Sequence, residues 1–86
     1  MPGIARAGAD AAGGTIAAGS GNVFVNGSPA ARIGDPVSGH GRGSHRGPTM
    51  AGGSGSVFVN GIGVCRAGDP AGCGHPTSGS EDVNAG

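Results

Sequence analysis

Apolar side chains come in two short, matching bursts. Val23-Phe24-Val25 and Val57-Phe58-Val59 are runs of β-branched and aromatic residues, the composition of a strand. Each is followed at once by an Asn-Gly pair, Asn26-Gly27 and Asn60-Gly61. Asn-Gly tolerates positive φ at both central positions and marks a tight hairpin turn. A second arm follows, residues 29–33 in one case and 62–67 in the other, and Gly34-Asp35-Pro36 and Gly68-Asp69-Pro70 end these arms. The pattern predicts hairpins, each followed by a polar, glycine-rich excursion. No apolar period of 3.6 survives along the chain, so no helix is expected. The Ala-rich stretch 5–18 is interrupted by Gly8, Gly13 and Gly14, which argues against a helix there too.

The two bursts belong to a longer repeat. Residues 19–36 read GSGNVFVNGSPAARIGDP and residues 53–70 read GSGSVFVNGIGVCRAGDP, at a constant offset of 34 from Gly19 to Gly53 and from Arg32 to Arg66. Two partial copies flank them. Ala5-Arg6-Ala7-Gly8 matches the arginine end of the unit, and Gly79-Ser80-Glu81-Asp82-Val83 matches its start. The chain thus carries three arginine corners and three GSxxV starts, a threefold pseudo-repeat cut open inside one unit. A disordered glycine-rich linker would not hold VFVNG, Arg and Gly-Asp-Pro in register. The expected fold is all-β: a small conical domain of three pseudo-threefold-related hairpin units without significant helix, with residues 1–86 as a single domain.

Composition sharpens this reading. Of 86 residues 22 are Gly, Trp and Tyr are absent, and Phe24 and Phe58 are the only aromatics. Such a chain has little to set against the entropy of ordering its backbone, so a fold needs a metal, a disulfide or a partner. Five Arg balance five acidic residues, and the lack of a basic surplus argues against nucleic acid as partner. The start, MPGIARAGAD, has no signal-like apolar run. No segment approaches the ~20 apolar residues of a membrane helix. Synthesis in the cytoplasm, without a signal peptide, is the expectation.

All three histidines and one cysteine fall in the excursions after Gly-Asp-Pro. One excursion carries His40 and His45, the other Cys73 and His75. Equivalent places in a repeat are equivalent places in space, so the repeat predicts that these four side chains converge at one end of the molecule. Three imidazoles and a thiolate form a tetrahedral set for zinc, one ion per chain, with iron the main competitor. A structural zinc site contributes on the order of 10 kcal/mol to folding, which makes this apex a staple. Cys65, aligned with Ala31 on a strand, fills a small interior site; a Cys65–Cys73 disulfide is the alternative and would remove the only thiolate. Arg6, Arg32 and Arg66 recur at the corners, with Asp35 and Asp69 three residues beyond two of them. They are expected to bond corner carbonyls or a neighbouring unit's Asp, the other possibility being solvated charges. Arg42 and Arg46, among the ligands, read as solvated.

Pro29-Ala30-Ala31-Arg32 within GSxxVFVNGxPAARxGDP, with Cys and His in the later excursions, resembles the PAAR-repeat proteins over about residues 4–83. The resemblance implies a sharp β cone with a metal near its apex. It implies a broad base docked, one copy per trimer, on the trimeric β-helical spike of a type VI secretion system (valine-glycine-repeat type) or its phage-tail equivalent. The tip would meet a target membrane transiently and leave the cell with the spike. Any effector would be a separate partner, because the chain has no toxin extension. Two departures stand out: residues 10–14 carry no histidine, and the second copy reads Gly63-Val64-Cys65-Arg66. The competing function is a small zinc hydrolase, which needs an open coordination position and a general base; the only Glu is Glu81, outside the excursions. A glycine-rich zinc-binding structural or adhesin module is the other alternative.

Overall fold

A computed structural model describes residues 2–80 and 83–85, so Glu81 and Asp82 of the third GSxxV start lie outside the described residues. The body measures 32 × 23 × 23 Å, one long axis and two equal ones. Among the described residues there are three two-stranded antiparallel sheets: β1 (Ala11–Ala12) with β2 (Gly14–Thr15), β3 (Phe24–Val25) with β4 (Ser28–Pro29), and β5 (Phe58–Val59) with β6 (Ile62–Gly63). Among the described residues the only helical segment is a single 3-10 turn, Gly43–His45, and no helix is long and apolar enough to cross a membrane. The expected all-β class is what the chain adopts.

Both VFVNG segments fold as the residue chemistry requires. Phe24 pairs with Pro29 and Val25 with Ser28, and the second copy repeats this register with Phe58–Gly63 and Val59–Ile62. The two-residue turns place Asn26 at φ 53 and Gly27 at φ 84, and Asn60 at φ 54 and Gly61 at φ 77, the left-handed geometry of a hairpin that follows the strand twist. The third unit is assembled from the two ends of the chain. Gly3 bridges Asn84 as Pro29 bridges Phe24. Ile4 donates to the Val83 carbonyl at 2.8 Å, as Ala30 does to Val23 at 2.9 Å and Val64 to Val57 at 3.1 Å.

Beyond these short ladders the second arms leave their own hairpins and bond to one another. Ala5 N–H donates to Cys65 O, Cys65 N–H to Ala31 O and Ala31 N–H to Ala5 O, each at 2.9 Å. The three bonds close a ring, and the bridges Ile4–Arg66, Arg6–Ala30 and Arg32–Val64 surround it. The arms therefore do not run on as long hairpin strands, as the sequence pattern suggests. A chain that must pair cyclically around one line can spend only a few residues on each partner.

Successive residues of an extended chain point to opposite sides, so the ring separates two small cores. Ala5, Ala31 and Cys65 face Ala7, Ala12, Ile16, Val37, Met50 and Ala71, with Cys73 packed against this layer. Ala30, Val64 and Ile4 face Val25, Val59, Val83 and Ala85. The three ring positions carry small side chains, Ala5, Ala31 and Cys65, and all are fully buried.

The three GSxxV serines share one role. Ser20, Ser54 and Ser80 are buried, and each Oγ accepts from the backbone N–H of the valine three residues on: Val23 at 3.0 Å, Val57 at 2.8 Å and Val83 at 3.1 Å. They pair the first backbone donor of each incoming strand segment. The hairpin turns also reach the next unit, since Ser20 Oγ lies 2.8 Å from Asn60 Oδ1 and donates to it. Asn60 thus holds a left-handed backbone and an inter-unit bond together. Asn60→Ala is expected to cost about 2 kcal/mol, from the left-handed penalty plus the lost bond. Asn60→Gly, which keeps the turn, is expected to cost about 1 kcal/mol. Thermal melts of the two variants check this, and equal losses would contradict it.

Candidate metal centre

The three excursions span residues 10–16, 35–50 and 69–77, and each is pinched at its neck by the same bond. Gly8 donates to Ile16 O, Gly34 to Met50 O and Gly68 to Thr77 O, all at 2.8 Å. The necks also carry the arginine corners. Arg6 Nε donates to Asp10 Oδ2 at 2.8 Å, Arg32 Nη2 to Asp35 Oδ1 at 3.2 Å and Arg66 Nε to Asp69 Oδ2 at 2.9 Å. In each corner the same carboxylate also accepts the arginine's own backbone N–H, at 2.7–2.9 Å. The expectation that arginines reach a neighbouring unit's Asp is therefore corrected: each pairs with the Asp of its own corner, because the turn between them brings residues three or four apart face to face. Of the expected corner carbonyls, Gly53 O accepts from Arg66 Nη2 at 3.3 Å.

Asp10 is the partner that sequence reasoning missed. It lies four residues after its arginine instead of three, but the other two Arg-Asp pairs were the signal that could have found it. It is buried and accepts a further bond from Ser78 Oγ at 2.8 Å. Burial alone would raise its pKa, but the bonds from Arg6 and Ser78 outweigh that and hold the carboxyl below its usual value.

Past the necks, the second and third excursions lean on each other. Gly72 donates to Thr49 O at 2.7 Å and Met50 bridges Ala71. The second excursion doubles back through the 3-10 turn, and His40 N–H closes it onto His45 O at 2.8 Å. The third closes with Ala71 N–H on His75 O at 2.9 Å. These closures bring His40, His45, Cys73 and His75 together, with one donor atom from each all within 4.8 Å of one another. The four residues singled out from the repeat are the four that meet.

Two of the donor–donor distances match the edges of one tetrahedral ion. His40 Nε2 lies 3.1 Å from His45 Nδ1 and 3.5 Å from Cys73 Sγ. A tetrahedral zinc with Zn–N of about 2.0–2.1 Å and Zn–S of about 2.3 Å needs N···N edges of about 3.3 Å and N···S edges of about 3.6 Å. The three imidazole centroids lie 4.8–5.0 Å apart. Tautomer chemistry agrees. His40 Nδ1 is 3.0 Å from the Ser38 carbonyl, which can only accept, so Nδ1 carries the proton. That leaves the Nε2 lone pair facing His45 and Cys73, an orientation typical of a metal-ligating histidine. A hydrogen bond between two rings would satisfy one pair of these groups, whereas a cation satisfies all four.

Cys65 stands apart. Both cysteines are free thiols, so the disulfide alternative does not form. Cys65 is fully buried in the ring, and burial, with Asp69 and Asp35 nearby, pushes its thiol up to about 12. It is a packing residue and not a ligand. A family model described as PAAR motif matches residues 7–79. No curated protein matches the chain.

Proposed function

This chain belongs to the PAAR-motif family, which is associated with the spike tips of contractile injection systems, and from that premise we propose that one copy caps a homotrimeric β-helical shaft and leads it through a target envelope. The observation that carries the proposal is the closed Ala5–Cys65–Ala31 ring. A homotrimeric shaft ends on a threefold axis, and a single chain meets it without mismatch only by offering three similar edges. The three serine-capped strand starts, joined cyclically around that ring, supply them.

Surface chemistry supports a partner on the hairpin side. The chain owns two aromatic residues, and both are spent outside: Phe24 is 56% and Phe58 57% exposed, with Val23, Val57, Ile33 and Ile62 also exposed. A protein this poor in core-forming side chains gains by leaving them out only if something else covers them.

At the other end the ion would be zinc, held by His40, His45, Cys73 and His75. When bound it supplies a fixed tetrahedral cross-link between the second and third excursions. Four protein donors use all four positions of such an ion, and the open position that a zinc hydrolase needs is not left. A structural role also fits the family. The protein would be made in the cytoplasm and travel out with the spike, any effector being a separate partner.

The test is assembly with the trimeric spike protein of the same injection system, read by light scattering. One chain per trimer is expected, and three chains per trimer would contradict the cap. Phe24→Ser with Phe58→Ser is expected to weaken capture by at least tenfold, since exposed aromatics are the usual anchors, while leaving the melting temperature within a few degrees. Undiminished capture would remove these residues from the interface.

A further inference from the structure

The first excursion carries no His or Cys, yet its turn lies against the cluster. β1 and β2 pair Ala12 with Gly14, so Gly13 alone forms the tip of that hairpin, at φ +86. A Cβ on Gly13 would overlap His75 Nδ1 and come to 2.6 Å from His40 Nε2 and 2.7 Å from His75 Cε1. His40 Nε2 is the lone-pair atom that already faces Cys73 and His45. A carbon that close would crowd rings on two separate excursions at once. Real Cβ atoms do not come within 3.0 Å of such atoms, so both rings would have to move.

We propose that Gly13 is the floor of the metal seat: its bare Cα is what lets the His75 and His40 rings stand where they meet Cys73 and His45, and any side chain there would push the two rings out of the ligand set. The proposal rests on the metal reading above and adds a residue that donates nothing. It gives the first excursion a share in the centre, with two excursions holding the ion and the third closing it from below. Gly13 is thus a positioning residue.

Zinc alone is the probe, with affinity read by competition against a chromophoric chelator. Wild-type protein, Gly13→Ala and Gly27→Ala are compared. Gly27 has almost the same backbone conformation, φ +84, but open space where a Cβ would go, so its variant carries the strain without the obstruction. Gly27→Ala is expected to bind zinc within about threefold of wild type. Gly13→Ala is expected to lose about 100-fold or more, at the upper end of what residues around a metal site contribute. Equal affinities for the two variants would overturn the proposal. A wild-type chain that binds no zinc would instead overturn the metal reading beneath it.

A second measurement needs no variant. In the cobalt(II)-loaded wild type, the Gly13 Hα resonances should show the largest paramagnetic shifts of any residue outside the four ligands. Unshifted Gly13 protons would sink the proposal even if Gly13→Ala failed to fold.

Discussion

Removal of the metal by a strong chelator is expected to unfold most of this protein at room temperature. Two layers of mainly Ala and Val around a three-residue ring are a small core, and 22 glycines raise the entropy lost on folding. Typical domains have only about 5–15 kcal/mol of net stability, and a structural zinc site contributes about 10 kcal/mol, so an ion held by the four proposed ligands would account for most of what this fold has to lose. Loss of its far-ultraviolet signal and of a cooperative melt on chelation, both restored by added zinc, is the expected result. Cys73→Ala and His75→Ala should reproduce the chelated state even in excess zinc, because each removes one donor of four. Cys65→Ala should keep one zinc per chain, since that thiol is buried in the ring away from the ligand set. A chelated protein that still melts cooperatively within a few degrees of the zinc form would show that the excursions do not need the ion.

The second large effect is expected at Asp10. Its carboxylate accepts from Arg6 Nε, Arg6 Nη2, the Arg6 backbone and Ser78 Oγ, at 2.8–3.3 Å, and the residue is 4% exposed. Breaking a buried pair from one side costs about 3–5 kcal/mol. The Arg6 side chain keeps 20% of its surface in water, so for Asp10→Asn a loss of about 2–3 kcal/mol at pH 7 is the reasonable figure. In a domain of this size that is roughly a 10 °C drop in melting temperature. The pH dependence has a definite sign. The folded-state pKa of Asp10 is held below its unfolded value, so its contribution is complete above the unfolded carboxylate range, about pH 4. It is lost as pH falls through the lower, folded value. Melts of wild type and Asp10→Asn are therefore compared at equal zinc and pH 7, where this contribution is complete and the metal ligands are free to bind. No gap at pH 7 would refute the role assigned to this carboxylate.

Much of this was legible because the signals were local and repeated. Asn-Gly after VFV specifies a left-handed two-residue turn wherever it occurs, and both copies make it. The constant offset of 34 residues meant that placing one excursion placed the next. His40, His45, Cys73 and His75 could therefore be grouped although their spacings match no familiar zinc motif. The buried serines were less legible. Their recurrence in GSxxV marked strand starts, but a hydroxyl bonding three residues ahead is one of several things Ser does in a loop.

What the sequence determined alone is the inventory and its order: β-forming bursts and turn sites twice, arginine corners three times, and donors of the right chemistry for zinc in two of the excursions. Each of these follows from residues adjacent along the chain. The tertiary structure decided which arm bonds to which. It closed the ring through Ala5, Ala31 and Cys65, returned each arginine to its own aspartate, and set Gly13 beneath the histidines. Those outcomes depend on which backbones approach one another across gaps of tens of residues, and a glycine that matters for the atom it lacks leaves no mark of its own among 22.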